Sequence, residues 1–338
     1  MELDYESFLG MAEDSADSSA KSRHRRIAGG SPTDFNRHSY IVSIRSSDTW
    51  EFFCAGTIIS EKVILTAGHC TIYSPETICV SLGKPHQNVL PDHPCFEIGS
   101  IKLHPDYYLP DGLSDAINDI ALIILKESLP LSKKVRHVNL IESNHNIAIG
   151  SKVTAYGRGA IREPTKNDLT YERSDYLTSD FFRFDNGTQN RARVFPKYLQ
   201  RVDLEVLSIK ECEKKYEHEV HKSHICAYAP GKGSCFKDSG GPLMADGFQV
   251  GIFSGGRRCA AHPGYPGLYT NVSMFRSWID DEMKALSLVL TGRRESKLVT
   301  NKKNRNITKI GGRWRSNVNY RSKQPRSSRN TSHENNEH

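Results

Sequence analysis

Three residue settings in this chain could carry out nucleophilic chemistry together. His69 stands in Leu65-Thr66-Ala67-Gly68-His69-Cys70, Asp119 in Asn118-Asp119-Ile120-Ala121-Leu122, and Ser239 in the run Gly233-Ser234-Cys235-Phe236-Lys237-Asp238-Ser239-Gly240-Gly241-Pro242. A serine hydroxyl is a poor nucleophile until a base takes its proton, and an imidazole oriented by a third group is suited to that task. Each residue alone has an ordinary explanation. Gly, Asp and Ser are turn residues, a lone His is commonly a satisfied surface or core group, and Asn-Asp before an apolar run is often a turn. It is their joint occurrence, with Cys neighbours and in the order His, Asp, Ser, that carries the inference.

The segments that must position these residues are short and rich in β-branched side chains. Tyr40-Ile41-Val42-Ser43-Ile44, Ala55-Gly56-Thr57-Ile58-Ile59 and Lys62-Val63-Ile64-Leu65-Thr66 are separated by turn residues. Runs of this kind at this spacing predict an all-β barrel or sandwich. Val272 to Leu290, with Trp278, Ile279 and Met283 at helical spacing, predicts one amphipathic helix near the end. No stretch approaches the roughly 18 apolar residues a membrane span needs.

Composition narrows the setting. The eight cysteines form an even set without a Cys-x-x-Cys pair, which points to disulfides in an oxidising compartment rather than to zinc. Four Asn-x-Ser/Thr sites, at Asn186, Asn271, Asn306 and Asn330, point the same way. Met1–Gly10 is acidic and has no apolar h-region, so the expectation is an extracellular protein whose leader is absent from this sequence. The net charge of +7 is uneven: residues 291–338 hold 13 Lys/Arg against 3 Glu, or +10, which leaves −3 for residues 1–290. That tail is Asn-, Ser- and Arg-rich and is expected to be disordered, with polyanion binding as an alternative to a merely solvated segment.

Residues His69, Asp119 and Ser239, in their local motifs and chain order, resemble the trypsin/chymotrypsin-like serine proteases, and the resemblance covers roughly Ile27 to Leu290. It implies two six-stranded Greek-key β-barrels, about 27–150 and 151–271, with the site in the cleft between them and a helix over about 272–290. It further implies that Ser239 attacks a peptide carbonyl, His69 takes and returns the proton, and Asp119 holds the imidazole. Ser254 matches the serine that bonds the buried Asp. Basic residues Arg23-His24-Arg25-Arg26 before Ile27-Ala28-Gly29-Gly30 resemble an activation site. Residues 1–26 would then be a propeptide, Arg26 the residue cut by an activating protease, and Ile27 the new N-terminus pairing with Asp238. Without a cysteine in residues 1–26, no disulfide would retain the cut segment.

The resemblance also suggests the disulfides Cys54–Cys70, Cys212–Cys226 and Cys235–Cys259, leaving Cys79 and Cys95 for each other. Lys84 stands where calcium-binding members carry an acidic ligand, so no metal and no cofactor is expected. Between Arg158 and Phe195 lies a polar insertion much longer than typical members have, read as an exposed loop carrying Asn186.

Two positions depart from the common pattern in ways that affect chemistry. The oxyanion hole would consist of the backbone N–H groups of Ser239 and Lys237, and Lys237 replaces a glycine, whose backbone freedom a side chain restricts. The pocket floor, where trypsin-like members have Asp, is Gly233, and the walls correspond to Gly256 and Gly267, beside Ser254. An uncharged pocket of this kind should take large apolar or aromatic side chains, because an unpaired cation buried there would be costly. Gly255 replaces a usual Trp, Gly68 a usual Ala and Tyr156 a usual Trp, and Arg257 and Arg258 lie on the rim. The expected protein is a monomeric serine endopeptidase acting on protein and peptide substrates. The alternative is a weakly active or non-catalytic homologue that works by binding.

Overall fold

The computed structural model describes residues 29–82, 94–110, 115–160, 196, 198–256 and 265–305, with side chains followed through Val289. Two strand systems account for most of it. In the first, β2 (Ile41–Ser46), β3 (Phe52–Ser60), β4 (Val63–Thr66), β5 (Ile78–Ser81), β6 (Cys95–Leu103) and β7 (Ala121–Leu125) close into an antiparallel barrel in the order β2-β3-β4-β7-β6-β5. Closure comes from β2, which pairs with both β3 and β5. The strands of this barrel bury Ile44, Ile58, Ile64, Leu65, Leu122, Ile123 and Leu125, all at most 2 % exposed, with adjacent residues such as Ile64 and Leu65 on opposite faces. These are the β-branched and aliphatic residues of the three runs that predicted strands, together with the run after Asp119.

The second barrel is built from β9 (Lys152–Gly157), β10 (Gln200–Leu207), β11 (His224–Tyr228), β12 (Pro242–Ala245), β13 (Phe248–Gly255) and β14 (Gly267–Asn271). It closes because β9 pairs with β10 on one side and β12 on the other. Alternating burial along β10 gives one face to the core and one to solvent, the period-2 pattern of a strand. Strands from both halves of the chain contribute to this sheet. Two short N-terminal strands, β1 (Ser31–Pro32) and β8 (Asn139–Leu140), add to the second system through β10 and β13. Two-residue strands carry no periodicity of their own, so only their pairing partners reveal where they belong.

Helix α1 (Ile209–Tyr216) starts on a capping box, with Ser208 Oγ accepting from Glu211 N–H and the Glu211 carboxylate accepting from Ser208 N–H. Helix α2 spans Val272–Arg305. Its first part, to Glu282, packs with the barrels through Val272, Phe275 and Ile279, and Trp278 meets His104 edge-on. The helix runs past the Leu290 limit expected from sequence. A single interior glycine such as Gly292 costs a helix only about 1 kcal/mol, and the Arg, Glu, Lys and Leu that follow are good helix formers. Residues from Met283 on form a second unit. No helix among the described residues is long and apolar enough to cross a membrane.

Disulfides join Cys54–Cys70, Cys79–Cys95 and Cys212–Cys226. Cys235 is also disulfide-bonded, and its expected partner Cys259 lies outside the described residues. So do Arg26, Ile27, Lys84, Arg257, Arg258, Asn186, Asn306, Asn330, the insertion from 161 to 195, and residues 306–338 of the tail.

Candidate active site

Strand register brings the first two residues together. Thr66, the last residue of β4, pairs with Ala121, the first of β7. His69 lies three residues beyond one and Asp119 two before the other, so the same ladder end presents both. The 3-10 turn Gly68–Thr71 aims the ring, and the Cys54–Cys70 disulfide fixes that turn to β3. His69 Nδ1 lies 2.7 Å from Asp119 Oδ2, and the His69 backbone N–H donates to Asp119 Oδ1 at 2.8 Å.

Asp119 is fully buried, and the second barrel secures it. Ser254 Oγ on β13 donates to Asp119 Oδ2 at 2.5 Å, and Thr270 Oγ1 on β14 donates to the Asp119 carbonyl at 2.8 Å. Burial pushes the Asp119 carboxyl up, but His69 and the hydrogen bonds from Ser254 and the His69 backbone pull it below the ordinary value. Burial likewise pulls the His69 imidazole down, and the adjacent carboxylate more than offsets this, so it ends above the ordinary value. The pair is therefore set as a carboxylate beside a strengthened base.

Ser239 arrives from the second barrel. Its carbonyl accepts from Ala55 N–H at 2.7 Å, next to Cys54, while Gly240 N–H donates to the Phe253 carbonyl at 2.8 Å. Gly240 sits at φ +80°, and a Cβ there would meet the Ala55 carbonyl at 2.1 Å and Thr66 Oγ1 at 2.3 Å. Only glycine lets the serine turn approach the first barrel this closely. Among the described residues no hydrogen bond joins Ser239 Oγ to His69 Nε2. Such contacts are often loose without substrate and tighten in its complex.

Lys237 occupies the left-handed region, φ +72°, which glycine adopts without penalty and a lysine does not. Its Nζ lies 2.9 Å from Glu51 Oε1 in the segment leading into β3, and its side chain is 13 % exposed. The charge is thus answered by Glu51 rather than presented to substrate, and the pair ties the turn before Ser239 to the first barrel. Lys237→Gly should relieve about 1 kcal/mol of backbone strain while changing kcat less than tenfold, since the N–H direction is retained. A loss of 10² or more would show instead that the Lys237–Glu51 contact creates the donor geometry. Steady-state kinetics on the two proteins distinguishes these.

Asp238 is also buried, and its carboxylate accepts from the backbone N–H groups of Gly159 at 2.6 Å and Cys235 at 2.8 Å, and from that of Arg158. The approach is so close that a Cβ on Gly157 would lie 2.0 Å from Asp238 Oδ1. Burial raises the Asp238 carboxyl to about 7, with the three N–H groups acting against it.

Gly256 directly follows β13 and Gly267 opens the neighbouring strand β14, while Gly233 lies in the segment between β11 and β12. A Cβ on Gly256 would meet Pro266 O and Tyr216 Oη at 3.6 Å, and Gly267 Cα at 3.8 Å, while one on Gly267 would meet the Tyr269 ring at 2.8 Å. Gly233 is buried, and the neighbouring Ser234 Oγ bonds Tyr269 Oη at 2.9 Å. Ser254, expected from sequence both to bond the buried Asp and to stand beside the pocket, donates its Oγ proton to Asp119. Gly68 has a packing explanation, because Leu103 and the Tyr107 ring lie within 2.8 Å of where its methyl would be. Sequence reasoning missed Glu51 and Thr270, whose partners lie 186 and 151 residues away in the chain.

Two barrels that meet around a buried Asp–His pair and a serine turn define a class of hydrolytic enzyme. The family model described as Trypsin matches residues 27–183 and 179–279, and the chain belongs to this family of serine endopeptidases. It is 32 % identical over 265 residues to a trypsin of Sarcophaga bullata, covering 77 % of this chain and 90 % of that one. It is 28 % identical over 269 residues to a vitellin-degrading protease of Bombyx mori, covering 78 % and 88 %. Among solved structures it is similar to neuropsin, a serine protease of mouse brain, with a TM-score of 0.59, 25 % identity, and coverage of 75 % of this chain and 98 % of that one.

Proposed function

We propose that this protein is an exported, cleavage-activated endopeptidase that cuts protein substrates after large apolar or aromatic residues. The observation that carries the catalytic part is the buried Asp119, held from three sides with His69 Nδ1 at 2.7 Å. Ser239 Oγ attacks the scissile carbonyl carbon as its proton passes to His69 Nε2. The oxyanion forms against the N–H groups of Ser239 and Lys237. Collapse breaks the C–N bond, His69 gives its proton to the leaving amine, and water then enters by the same route to release the acyl group.

Cleavage after Arg26 would supply the Ile27 ammonium to Asp238, and the even cysteine set supports an oxidising destination. Specificity rests on Gly233, Gly256 and Gly267. A floor without a carboxylate has nothing to pair with Arg or Lys, and walls without side chains leave room for a ring.

The test is a peptide library digested by protein cut after Arg26, with Ser239→Ala as blank. Cleavage after Phe, Tyr, Leu or Met is expected, and Gly233→Asp should shift preference toward Arg and Lys by at least tenfold in kcat/KM. Preferred cleavage after Arg by the unsubstituted enzyme would overturn the pocket assignment.

A further inference from the structure

A cavity of about 520 Å³, to which no triad residue contributes, is lined by Arg37, Tyr40, Arg136, Lys152, Tyr156 and Met244, among others. Its floor is apolar: Tyr40, Val138 and Met244 are buried in one core cluster, and Tyr156 packs against that cluster. Its cations are exposed. Lys152 pairs with Glu205 on β10, and Asp246 is the one carboxylate in the lining. Arg136 donates to the carbonyls of Asn36 at 3.3 Å and Arg37 at 3.1 Å, neutral groups that fix its charge in place without cancelling it. Among the described residues no carboxylate pairs with Arg136 or with the neighbouring Arg37. His38 responds to the resulting field. Its ring lies 4.1 Å from that of Tyr156, and its Nδ1 is 3.0 Å from Tyr40 Oη. Burial first, then Arg201, with Arg136 and Arg37 adding and Asp34 opposing, holds the imidazole down to about 4. Guanidiniums above a ring-lined floor suit carboxylates that come with apolar neighbours, because the planar fork binds the anion and the rings take the rest.

This chain contains a segment of that chemistry. Residues 1–28 lie outside the described residues, and the first twenty hold Glu2, Asp4, Glu6, Glu13, Asp14 and Asp17 with no Lys or Arg, a charge of −6. Tyr5, Phe8 and Leu9 are interspersed among them. The described chain begins at Gly29, beside the cavity. Ser31 pairs with Arg201, and Arg201 pairs in turn with Tyr156 of the cavity wall. Two strand spacings of about 4.8 Å put Ser31 roughly 10 Å from that wall. The stretch from Asp17 to Ser31 can extend to roughly 46 Å, so every one of the six carboxylates is within reach.

We propose that the acidic stretch Glu2–Asp17 docks in this cavity, with carboxylates on Arg37 and Arg136 and an aromatic side chain on the Tyr40–Tyr156 floor. The connecting chain keeps the segment at high effective concentration, so a few charge pairs suffice. On the reading above that the chain is cut after Arg26, the same contacts hold the freed segment, which no cysteine could. The docking itself does not depend on that cut.

The experiment therefore uses the intact full chain, carrying Ser239→Ala. A water-soluble carbodiimide joins carboxylates to lysine amines, taking up the water released, and the products are digested and read by mass spectrometry. Lys152 should be joined to one or more of the six acidic residues of Glu2–Asp17. That yield should fall at least fivefold in 1 M NaCl, where screening shortens the reach of exposed charges to about 3 Å. It should fall at least twofold in Arg37→Gln and fivefold when Arg136→Gln is added, with the link between Lys126 and Glu97, an exposed pair elsewhere, unchanged by either substitution. Thermal unfolding verifies that both variants are folded. Links from the segment to tail lysines such as Lys297, Lys302 and Lys303 alone would mean that the basic tail takes the segment, and would overturn the proposal. So would an unchanged Lys152 yield in the folded double variant.

Discussion

Replacing Asp119 by Asn is expected to lower kcat/KM by roughly 10⁴ while leaving the fold intact. The amide matches the carboxylate in shape, so the His69 backbone N–H keeps its acceptor at Oδ1, while Ser254 Oγ, which donates to Oδ2, loses its own. What changes is the atom facing the ring. An amide NH₂ opposite His69 Nδ1 requires that nitrogen to accept, which places the imidazole proton on Nε2. Nε2 then points a proton at Ser239 and cannot take one. A pH shift should accompany the loss. Hydrolysis needs His69 unprotonated, so activity disappears as pH falls through its pKa. With Asp119 present that pKa lies above the ordinary 6.5, and the acid limb of kcat/KM should lie there too. Without the carboxylate only the lowering effect of burial remains, and the limb should move to lower pH. Residual activity within tenfold of wild type, or an unmoved limb, would show that Asp119 does not orient and charge-balance the base.

What could be read from sequence divides by how local its cause is. His69, Asp119 and Ser239 each sit in a short motif whose neighbours perform the positioning: Cys70 through its disulfide, Gly240 through its left-handed turn, and the apolar run after Asp119 through strand β7. Short β-branched runs sufficed for β2, β3 and β4 of the first barrel, because burial in a barrel core selects those residue types. Other features depend on partners far along the chain. Nothing near Glu51 announces an ion pair with Lys237, and Thr270 reads as a strand residue until the barrels are assembled. Gly68 looks like a departure from the family when only its neighbours are seen, and becomes a packing necessity once Tyr107 is placed against it. The extension of α2 was hidden by composition, since a polar, basic segment lacks the apolar periodicity from which helices are read.

Cleavage after Arg26 should reverse a pH dependence that Asp238 imposes on the intact chain. The folded carboxyl, raised to about 7, exceeds its ordinary value of 3.8, so the folded state keeps a proton that the unfolded chain releases. Stability from this group is complete below about pH 3.8 and is lost as pH rises through 7. The roughly three-unit difference corresponds to about 4 kcal/mol between those limits. Asp119 works in the opposite direction, because its lowered pKa adds stability above its unfolded value that is lost only in acid. A comparison of intact and cleaved protein, both carrying Ser239→Ala to prevent self-digestion, cancels that contribution. In the cleaved form proposed above, the Ile27 ammonium would give the Asp238 carboxylate a cation, which would favour its charged form and lower its pKa. The intact chain should therefore lose stability relative to the cleaved chain between pH 4 and 7, measured by urea unfolding at each pH, and the gap should be widest near neutrality. Equal pH profiles for the two forms would mean that the new N-terminus does not reach Asp238, and activation would then require another account of how the Lys237 and Ser239 N–H groups are set.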